Sequence, residues 1–196
     1  MELKDKRIGL AVTGSFCTFD TAILCARELV SAGAIVTGIM SHITSATDTR
    51  FTTADAFKAT LAEITGASPI CTIAEAEPIG PKKLFDLLLV LPATGNTIAK
   101  VAHGIADTSV TMAVKSHLRN NRPVVFAIST NDALGNNAKN IGALLNAKNI
   151  FFVPFGQDDP VNKPKSMVFL KSKVVAASED ALEGRQLQPL VGLYSG

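Results

Sequence analysis

The sequence has little of what several protein classes require. It contains no Trp and one Tyr, so aromatic platforms for stacking nucleic-acid bases are scarce. Its formal net charge of +2 is too small to favour a nucleic acid or an anionic membrane as partner. No apolar run approaches the length of a membrane span, and the N-terminal segment lacks the long apolar stretch of a signal peptide. We therefore expect a soluble, cytoplasmic protein.

Cysteine is also sparse. Cys17, Cys25 and Cys71 are odd in number, widely spaced and form no C-x-x-C pair. This usage fits a reducing compartment better than a disulfide framework. Cys17 lies beside a predicted helix N-terminus, which favours a thiolate, although small size next to a phosphate explains it equally well. The three histidines have no Cys, Asp or Glu at ligand spacing, and we predict no metal site.

What the sequence does contain is a regular alternation of apolar runs and helical patterns. The 196 residues and 47% hydrophobic content suit one domain with a substantial core. Near-continuous Val, Ile and Leu indicate strands that are covered on both faces, and their alternation with helices predicts βαβ units. The predicted strands are Arg7–Val12, Ala34–Met40, Pro69–Ile73, Phe85–Leu91, Pro123–Ile128 and Asn149–Phe155.

Helices are predicted over Ala22–Val30 and Ala54–Thr65. The fold class that follows is α/β, with a doubly wound, mostly parallel sheet in a three-layer sandwich. Residues 1–196 are predicted to form a single domain. From about residue 156 the pattern weakens into a polar loop and a C-terminal tail, which is either a helix packed on the domain or a lid.

Four turns at the predicted carboxyl edge of the sheet are rich in small and polar residues. They are TGSFCTFD at 13–20, SHITSATD at 41–48, PATGNTIAK at 92–100 and STNDALGNN at 129–137. Right-handed crossovers place such turns on one edge, where free N–H groups at helix N-termini bind phosphate. Each turn alone has an ordinary alternative, a Ser or Thr helix cap. Together they predict a pocket for a nucleotide-like cofactor that carries the chemistry.

The residues of these turns resemble a known family, the flavin-containing cysteine decarboxylases within the flavoprotein family. The shared motif is Pro-x-x-x-Asn-Thr, then Ala-Lys and Gly-x-x-Asp, here Pro92, Asn96, Thr97, Ala99, Lys100, Gly104 and Asp107. The likeness covers roughly residues 6–154. It implies a Rossmann-like or flavodoxin-like sheet that binds FMN between the protomers of a homo-oligomer, a trimer or a dodecamer. Solvated helix charges or an ion pair across that interface would account for Lys100 and Asp107.

The resemblance also implies a set of flavin contacts. Gly14 and Ser15 would meet the flavin phosphate, Ser41 would lie near the ring or ribityl chain, and residues 93–96 would line the ring. Asn96 is further expected to contact the substrate carboxylate. The full set of implied cofactor contacts is Gly14, Ser15, Phe16, Ser41, Pro92, Ala93, Thr94, Gly95, Asn96 and Thr97.

Two catalytic residues of the decarboxylases are missing from this sequence. Those enzymes use a His base between the third and fourth strands, and residues 69–91 contain no His. They also use a lid Cys near the C-terminus, whereas the last Cys here is Cys71. Asn131 lies where the family carries a Pro-x-Met-Asn clamp, without the Pro and the Met. We therefore do not expect decarboxylation of a peptidyl cysteine.

Longer runs, over residues 76–86 and 116–160, resemble one branch of the family. Its members belong to two-component sporulation enzymes that form pyridine-2,6-dicarboxylate (dipicolinate), and each pairs with a second, nicotinamide-binding component. The resemblance implies one half of an oxidoreductase, which holds FMN and a small dicarboxylate, a dihydrodipicolinate-type precursor, with NAD(P) on the partner. A non-catalytic assembly or ligand-binding component is the alternative. A flavin prenyltransferase shares the fold, but TGSFCTFD lacks the phosphate-binding loop of that class.

Several charged residues outside the motif are candidates for function. His42, at the predicted carboxyl edge, is either an acid–base group or a solvated loop residue. His103 and His117 are predicted to lie on the surface or in a contact between protomers. Arg119 and Arg122 either face a dianionic substrate or belong to a solvated loop.

Overall fold

The computed structural model describes residues 3–192. Within that range the strands are β1 Arg7–Val12, β2 Ile35–Met40, β3 Leu87–Ala93, β4 Val124–Thr130, β5 Ile150–Phe152, β6 Phe155–Gly156 and β7 Met167–Phe169. The α-helices are α1 Phe19–Ser31, α2 His42–Ala46, α3 Ala54–Thr65, α4 Ile73–Ala76, α5 Gly95–Ala102, α6 Ser109–Leu118, α7 Ala138–Leu145 and α8 Val174–Leu182. Short 3-10 turns cover Phe16–Thr18, Glu77–Ile79 and Lys171–Lys173.

The sheet is mostly parallel, as predicted. Strands β2, β1, β3 and β4 are neighbours in that order, and β5 extends the parallel sheet beside the first half of β4. The second half of β4 pairs instead with β7, which runs antiparallel and carries β6 on its far side. The order β2-β1-β3-β4-β5 reverses direction between β1 and β3, and ligands of such sheets bind in the crevice at that switch point.

Strand β3 shows why the sheet is buried on both faces. All seven of its residues are buried, and successive side chains alternate between two separate cores. Leu87, Leu89 and Leu91 pack with α1 and α8 on one face. Leu88 and Val90 pack with α6 and α7 on the other face. The predicted three-layer arrangement follows from this alternation.

Gly9 in β1 allows a close approach across the sheet. A Cβ atom at this position would lie 2.7 Å from Cδ2 of Phe85 and 2.8 Å from Cδ1 of Leu88. Phe85 and Leu88 are both buried, so neither side chain has room to withdraw. A glycine is therefore required where β1 passes beneath the second core.

The third predicted strand, Pro69–Ile73, is wrong. Only Ile70 pairs with the sheet, through a single bridge to Ile39. Thr72 then caps α4: its hydroxyl accepts from the Glu75 N–H, and the Glu75 carboxylate accepts from the Thr72 N–H in return. This capping box satisfies backbone donors that a strand would have paired, so the chain turns into a helix after one bridge.

The other predicted elements match with small shifts at their ends. The bounds Arg7–Val12 and Ala54–Thr65 are those of β1 and α3. The predicted strand Asn149–Phe155 is divided into β5 and β6. In the tail, α8 buries Val174, Ala177 and Ala181 against the first core. No helix within residues 3–192 has both the length and the apolar character needed to cross a membrane.

Arg122 has a structural role at the amino edge of the sheet, away from any substrate. Its guanidinium donates to the Phe85 carbonyl and to the Asp86 carboxylate, which also accepts from Arg7. Burial acts to raise the pKa of Asp86, but the hydrogen bonds and charges of Arg7 and Arg122 prevail and lower it to about 2. The option that Arg122 faces a dianionic substrate is therefore wrong.

His117 is buried within the chain, in contrast to the predicted position on the surface or in a contact between protomers. Its side chain is 1% exposed, and its Nε2 is 3.1 Å from the Pro123 carbonyl oxygen. Burial lowers the pKa of His117 to about 4, with a further lowering contribution from Arg122. The folded protein therefore holds this imidazole neutral. Its neighbours in the sequence are one polar residue, Ser116, and one apolar residue, Leu118, so the local pattern gave no sign of its burial.

We predict that His117→Gln makes the stability less sensitive to acid. The unfolded His117 binds a proton near pH 6.5, whereas the folded one binds it only near pH 4, so the folded state loses stability as the pH falls through that window. Between pH 7 and pH 5 the free energy of unfolding should fall about 2 kcal/mol less in the variant than in the wild type. Urea unfolding at both pH values measures this.

Exposed His103 supplies the control, because His103→Gln removes a histidine without disturbing a buried contact. The glutamine at position 117 retains a donor for the Pro123 carbonyl. Equal acid sensitivity of His117→Gln and the wild type would contradict a neutral buried imidazole.

Candidate functional site

The site begins where β1 and β3 end side by side. Thr13, directly after β1, is 1% exposed and its hydroxyl joins the two strand ends. The Thr13 Oγ1 donates to the Pro92 carbonyl oxygen at 2.7 Å and accepts from the Thr94 N–H at 3.1 Å. The two turns that leave these strands are thereby fixed relative to each other at the switch point of the sheet.

The end of β3 is irregular, and Pro92 gives the reason. Pro92 has no N–H to contribute to the ladder with β4, and the pairing register shifts between Val90 and Ala93. Thr94 then caps α5, its hydroxyl accepting from the Thr97 N–H. The sequence Pro-Ala-Thr-Gly-Asn therefore ends a strand, turns and starts a helix within a few residues.

Two adjoining clefts open at this edge. The first cleft has a volume of about 480 Å³ and lies between the β1–α1 turn, the end of β4 and the segment 158–168. Its lining residues are Gly14, Ser15, Phe16, Cys17, Thr18, Arg50, Phe51, Thr94, Ser129, Thr130, Asn131, Asp132, Asp158, Lys163, Ser166, Met167 and Val168. The side chains that line it include more polar and charged groups than those of the second cleft, which is described next.

The second cleft, of about 450 Å³, lies between the turn after β2 and helix α5. Its lining residues are Thr13, Gly14, Ser41, His42, Ile43, Thr94, Asn96, Thr97, Lys100 and Thr108. Gly14 and Thr94 belong to both clefts, so the two spaces meet at the switch point between β1 and β3. Each volume lies in the range of small-molecule and cofactor sites.

The turn after β1 presents backbone donors to the first cleft. The N–H groups of Phe16 and Cys17 open the helical turn that leads into α1 and have no acceptor within it. Ser15 Oγ is 2.9 Å from Ser129 Oγ, a contact that ties this turn to the end of β4. A Cβ at Gly14 would lie 2.9 Å from Cγ2 of Ile43, so glycine keeps the junction open.

The structure places the residues implied as cofactor contacts in two groups. Seven of them line the clefts: Gly14, Ser15, Phe16, Ser41, Thr94, Asn96 and Thr97. The other three, Pro92, Ala93 and Gly95, are buried beneath the edge and line neither cleft. The Ser41 hydroxyl already serves as the cap of α2, where it contacts Thr44 Oγ1 at 2.8 Å. Contact of the whole set with a flavin stays a prediction.

Gly95 lies against a buried network of polar side chains. The Asp132 carboxylate accepts from Thr130 Oγ1 at 2.6 Å and from Asn137 Nδ2 at 2.7 Å. Asn137 in turn accepts from Asn140 at 2.8 Å, and both asparagines are 6% exposed. A Cβ on Gly95 would lie within 2.7 Å of atoms of Thr130, Asp132 and Asn137. The network thus packs directly against the first turn of α5.

The charges at the edge are mostly paired. Lys100 Nζ donates to both carboxylate oxygens of Asp107 at 2.8 Å, within the same chain, and this hydrogen bond lowers the pKa of Asp107. In the first cleft, Lys163 Nζ is 3.2 Å from Asp158. The hydrogen bond from Ser166, with the charge of Lys163, lowers the pKa of Asp158. Arg50, whose guanidinium lies 4.8 Å from the Phe51 ring centroid, has no carboxylate within ion-pair distance in the described chain.

Of the remaining candidates, His42 and Cys17 lie at the clefts and His103 does not. His42 lines the second cleft and is exposed, and the exposed thiol of Cys17 lines the first. Asn131 also reaches the first cleft, although the clamp residues around it are missing. No three His, Cys, Asp or Glu side chains within residues 3–192 are grouped so that they could hold a metal ion.

Several residues that form the first cleft were not identified from the sequence. Arg50 and Lys163 lie in loops without a motif, and their shared cleft depends on the antiparallel return of β7 beside β4. Thr13 was predicted only as one member of a polar turn, and its bridging role was missed. Its position directly between the last apolar residue of β1 and Gly14 is the signal that was available. The hydrogen-bonded residues around Asp132 follow no periodic sequence pattern, so their contacts were not predicted.

Comparisons with known proteins give a consistent picture. A family model described as Flavoprotein matches residues 1–178. The B subunit of dipicolinate synthase from Bacillus subtilis (strain 168) is 46% identical over 195 residues, which cover 99% of this chain and 98% of that protein. The crystal structure of the corresponding dipicolinate synthase B subunit from Bacillus halodurans matches with a TM-score of 0.90 and 40% identity, covering 98% of this chain and 99% of the other.

A more distant structure shares the fold alone. It is the dodecameric FMN-dependent Ubix-like decarboxylase from Escherichia coli O157:H7, with a TM-score of 0.61 and 20% identity. The match covers 76% of this chain and 79% of that chain. The Rossmann-like or flavodoxin-like α/β architecture is thus common to relatives that differ widely in sequence.

We predict that Gly95→Ala destabilises the fold by about 1–3 kcal/mol. The new methyl group would overlap the Asn137, Thr130 and Asp132 side chains, which are held by hydrogen bonds and have little room to move. The free energy of unfolding in urea measures the effect.

Gly142→Ala in α7 is the matched control, because a Cβ there meets no atom within 4 Å. Alanine has the higher helix propensity, so this variant should gain up to about 1 kcal/mol. Equal stability of Gly95→Ala and Gly142→Ala would show that the Asp132 network leaves room for a side chain at position 95.

Proposed function

This chain belongs to the flavoprotein family, and on that premise we propose that it is the B subunit of a dipicolinate synthase. In the proposed reaction, which belongs to sporulation, a dihydrodipicolinate-type precursor is oxidised to dipicolinate. The observation that carries the proposal is the 46% identity to the Bacillus subtilis protein, which extends over 99% of this chain. Likeness over nearly the full length of both chains includes the cleft-forming loops as well as the sheet.

The residues at the switch point fit an FMN-like group. The donors there are the free backbone N–H groups of Phe16 and Cys17 and the small hydroxyls that surround them. Backbone donors at the start of a helix are the chemistry that a phosphate monoester needs. Gly14, where a Cβ would fill the junction of the two clefts, leaves room for an extended ligand. FMN, when bound, supplies a ring that accepts or passes on a hydride.

The chain's own residues would bind and orient the ligand. Thr94, Asn96 and Thr97 line the second cleft from the first turn of α5, and Thr13 fixes that turn to β1. The resemblance to the decarboxylases implies that Asn96 contacts the substrate carboxylate, and its exposed side-chain amide can supply the donor. The hydrogen bonds of Thr13 hold this arrangement before any ligand arrives, which lowers the entropic cost of binding.

The first cleft offers cations for a dicarboxylate. Arg50 presents a planar guanidinium, which binds carboxylate through two parallel hydrogen bonds. Lys163 comes from a different segment and lies in the same cleft, where Asp158 offsets its charge. Formation of the aromatic ring supplies much of the driving force for the reaction, so the main tasks of the protein are placement of the ring and neutralisation of its carboxylates.

The partner and the assembly are part of the proposal. We propose that the A subunit of dipicolinate synthase binds this chain and supplies NAD(P), and that this chain forms a homo-oligomer, a trimer or a dodecamer. A dodecameric relative with the same fold supports the second point. All three cysteines are free thiols, which fits a reaction in the cytoplasm.

A second candidate is a protein that assembles or binds ligand without taking part in redox chemistry. The observation in its favour is that the second cleft has few acid–base groups. Its titratable side chains are His42 and Lys100, and Lys100 is paired with Asp107. In this case the NAD(P)-binding partner would carry out the oxidation alone. The two candidates differ in whether the cleft of this chain contacts the substrate.

We predict that Asn96→Ala lowers kcat/KM for dipicolinate formation about tenfold or more in the reconstituted pair. The alanine removes a hydrogen bond to a charged carboxylate, worth roughly 1.5–3 kcal/mol. Dipicolinate is measured by its absorbance after the two purified proteins are mixed with the precursor and NAD(P).

Asn146→Ala, at the exposed end of α7 and outside both clefts, should leave turnover as in the wild type. Wild-type turnover by Asn96→Ala with intact assembly would favour the non-catalytic candidate. A wild-type pair that forms no dipicolinate would refute the proposed reaction.

A further inference from the structure

Asp132 occupies an unusual position for a carboxylate. It lines the first cleft, and each of its oxygens accepts a hydrogen bond from a neutral donor. These donors are Thr130 Oγ1 at 2.6 Å and Asn137 Nδ2 at 2.7 Å. No Lys or Arg of the described chain lies within ion-pair distance of it. A carboxylate oxygen offers two lone-pair sites, so each oxygen keeps one site that these bonds do not use.

The surroundings of Asp132 fix its orientation. Asn137 is held in turn by Asn140, and the Asp132 carbonyl accepts from the Gly135 N–H at 2.8 Å. The buried polar atoms of this network all have hydrogen-bond partners, and the bonds from Thr130 and Asn137 hold the orientation of the carboxylate. A base oriented by a second and a third group is the arrangement that proton transfer in enzymes requires.

The proposed oxidation needs a proton acceptor. A dihydropyridine becomes a pyridine by losing a hydride from one ring atom and a proton from its neighbour, and the electron pair left by the proton forms the new double bond. We propose that Asp132 is the general base that takes this proton, while the hydride goes to the NAD(P)⁺ of the partner. The sum is precursor plus NAD(P)⁺ giving dipicolinate, NAD(P)H and one proton.

Other groups at the clefts are less suited to this role. Asp158 is paired with Lys163, and its pKa is lowered by the hydrogen bond from Ser166 and by that charge, which makes it a weaker base. His42 lies in the second cleft, and its ring has no hydrogen-bond partner within residues 3–192 to orient it. Asp132 also shares its cleft with Arg50, which has no ion-pair partner in the described chain and whose guanidinium suits a carboxylate.

This inference rests on the proposed function, and its test separates the two. The decisive variant exchanges two side chains, Asp132→Asn with Asn137→Asp. The exchange keeps the composition, the net charge and the hydrogen bonds of the network, since an amide at 132 donates to a carboxylate at 137. It removes only the carboxylate from the wall of the cleft, because residue 137 lines neither cleft. Asp132→Asn alone is measured beside it.

The first readout is turnover by the assembled pair. Both variants should show a kcat at least 100-fold lower than the wild type, the usual contribution of a general base. The exchange variant should do so with the thermal stability and assembly of the wild type. Wild-type kcat in the exchange variant would overturn the inference, as would loss of turnover in His42→Gln combined with wild-type turnover in Asp132→Asn.

The second readout needs no turnover. Calorimetric titration of the pair with dipicolinate should give equal or up to tenfold tighter binding in the exchange variant, because the negative charge has moved from the wall of the cleft to the buried position 137. Weaker binding together with lower stability would assign Asp132 to the structure of the loop and overturn the catalytic role. If the wild-type pair forms no dipicolinate, the proposed function fails; if it does and the exchange variant matches it, only the role of Asp132 fails.

Discussion

The hydroxyl of Thr13 is the contact on which the rest of the site depends. It is buried between the ends of β1 and β3, donates to the Pro92 carbonyl and accepts from the Thr94 N–H. Strand order reverses between these two strands, so this is the place where a parallel sheet opens a crevice. Because the hydroxyl fixes the two turns relative to each other, Gly14 and Thr94 can form the boundary that both clefts share.

Much of the fold was predictable from the sequence, because the sheet is buried on both faces. The apolar runs at β1, β3 and β4 have no polar interruptions, which identifies them as central strands of a parallel sheet. Pro69–Ile73 was mispredicted because a single bridging residue and a strand look alike in a short apolar run. The Thr72–Glu75 capping box that decides the matter was visible in the sequence.

The site was predictable only in part, for a different reason. Thr94, Asn96 and Thr97 come from one contiguous stretch at the start of α5, which the resemblance implied as flavin contacts. The structure places all three at the second cleft, and their contact with a flavin stays a prediction. Asp132 and Asn137 interact across a turn with no repeating pattern, so their hydrogen bonds leave no trace in the sequence. The burial of His117 depends on packing against residues distant in the chain, which a local pattern does not record.

The residues at the carboxyl edge have two proposed tasks. Most of them bind and orient the ligand, and Asp132 accepts a proton. Backbone donors and hydroxyls dominate the junction of the clefts, which suits a cofactor that brings its own reactivity. Charged side chains are concentrated in the first cleft, where Arg50 can bind a carboxylate, Lys163 is paired with Asp158 and Asp132 has no cationic partner in the described chain. The decarboxylase His and lid Cys are missing from the sequence, while a carboxylate stands at the β4 turn. A shared sheet thus carries a different set of reactive groups.

The most direct test of this account is a titration of the purified chain with FMN, followed by the absorption spectrum after desalting. The account predicts about one flavin per chain, with bands shifted from those of free FMN, and weaker retention of riboflavin, which lacks the phosphate. Such a result would make the junction at Gly14 and Thr94 a working cofactor site. A chain that retains no FMN, or that retains riboflavin equally well, would contradict the assignment of the β1–α1 turn as a phosphate site.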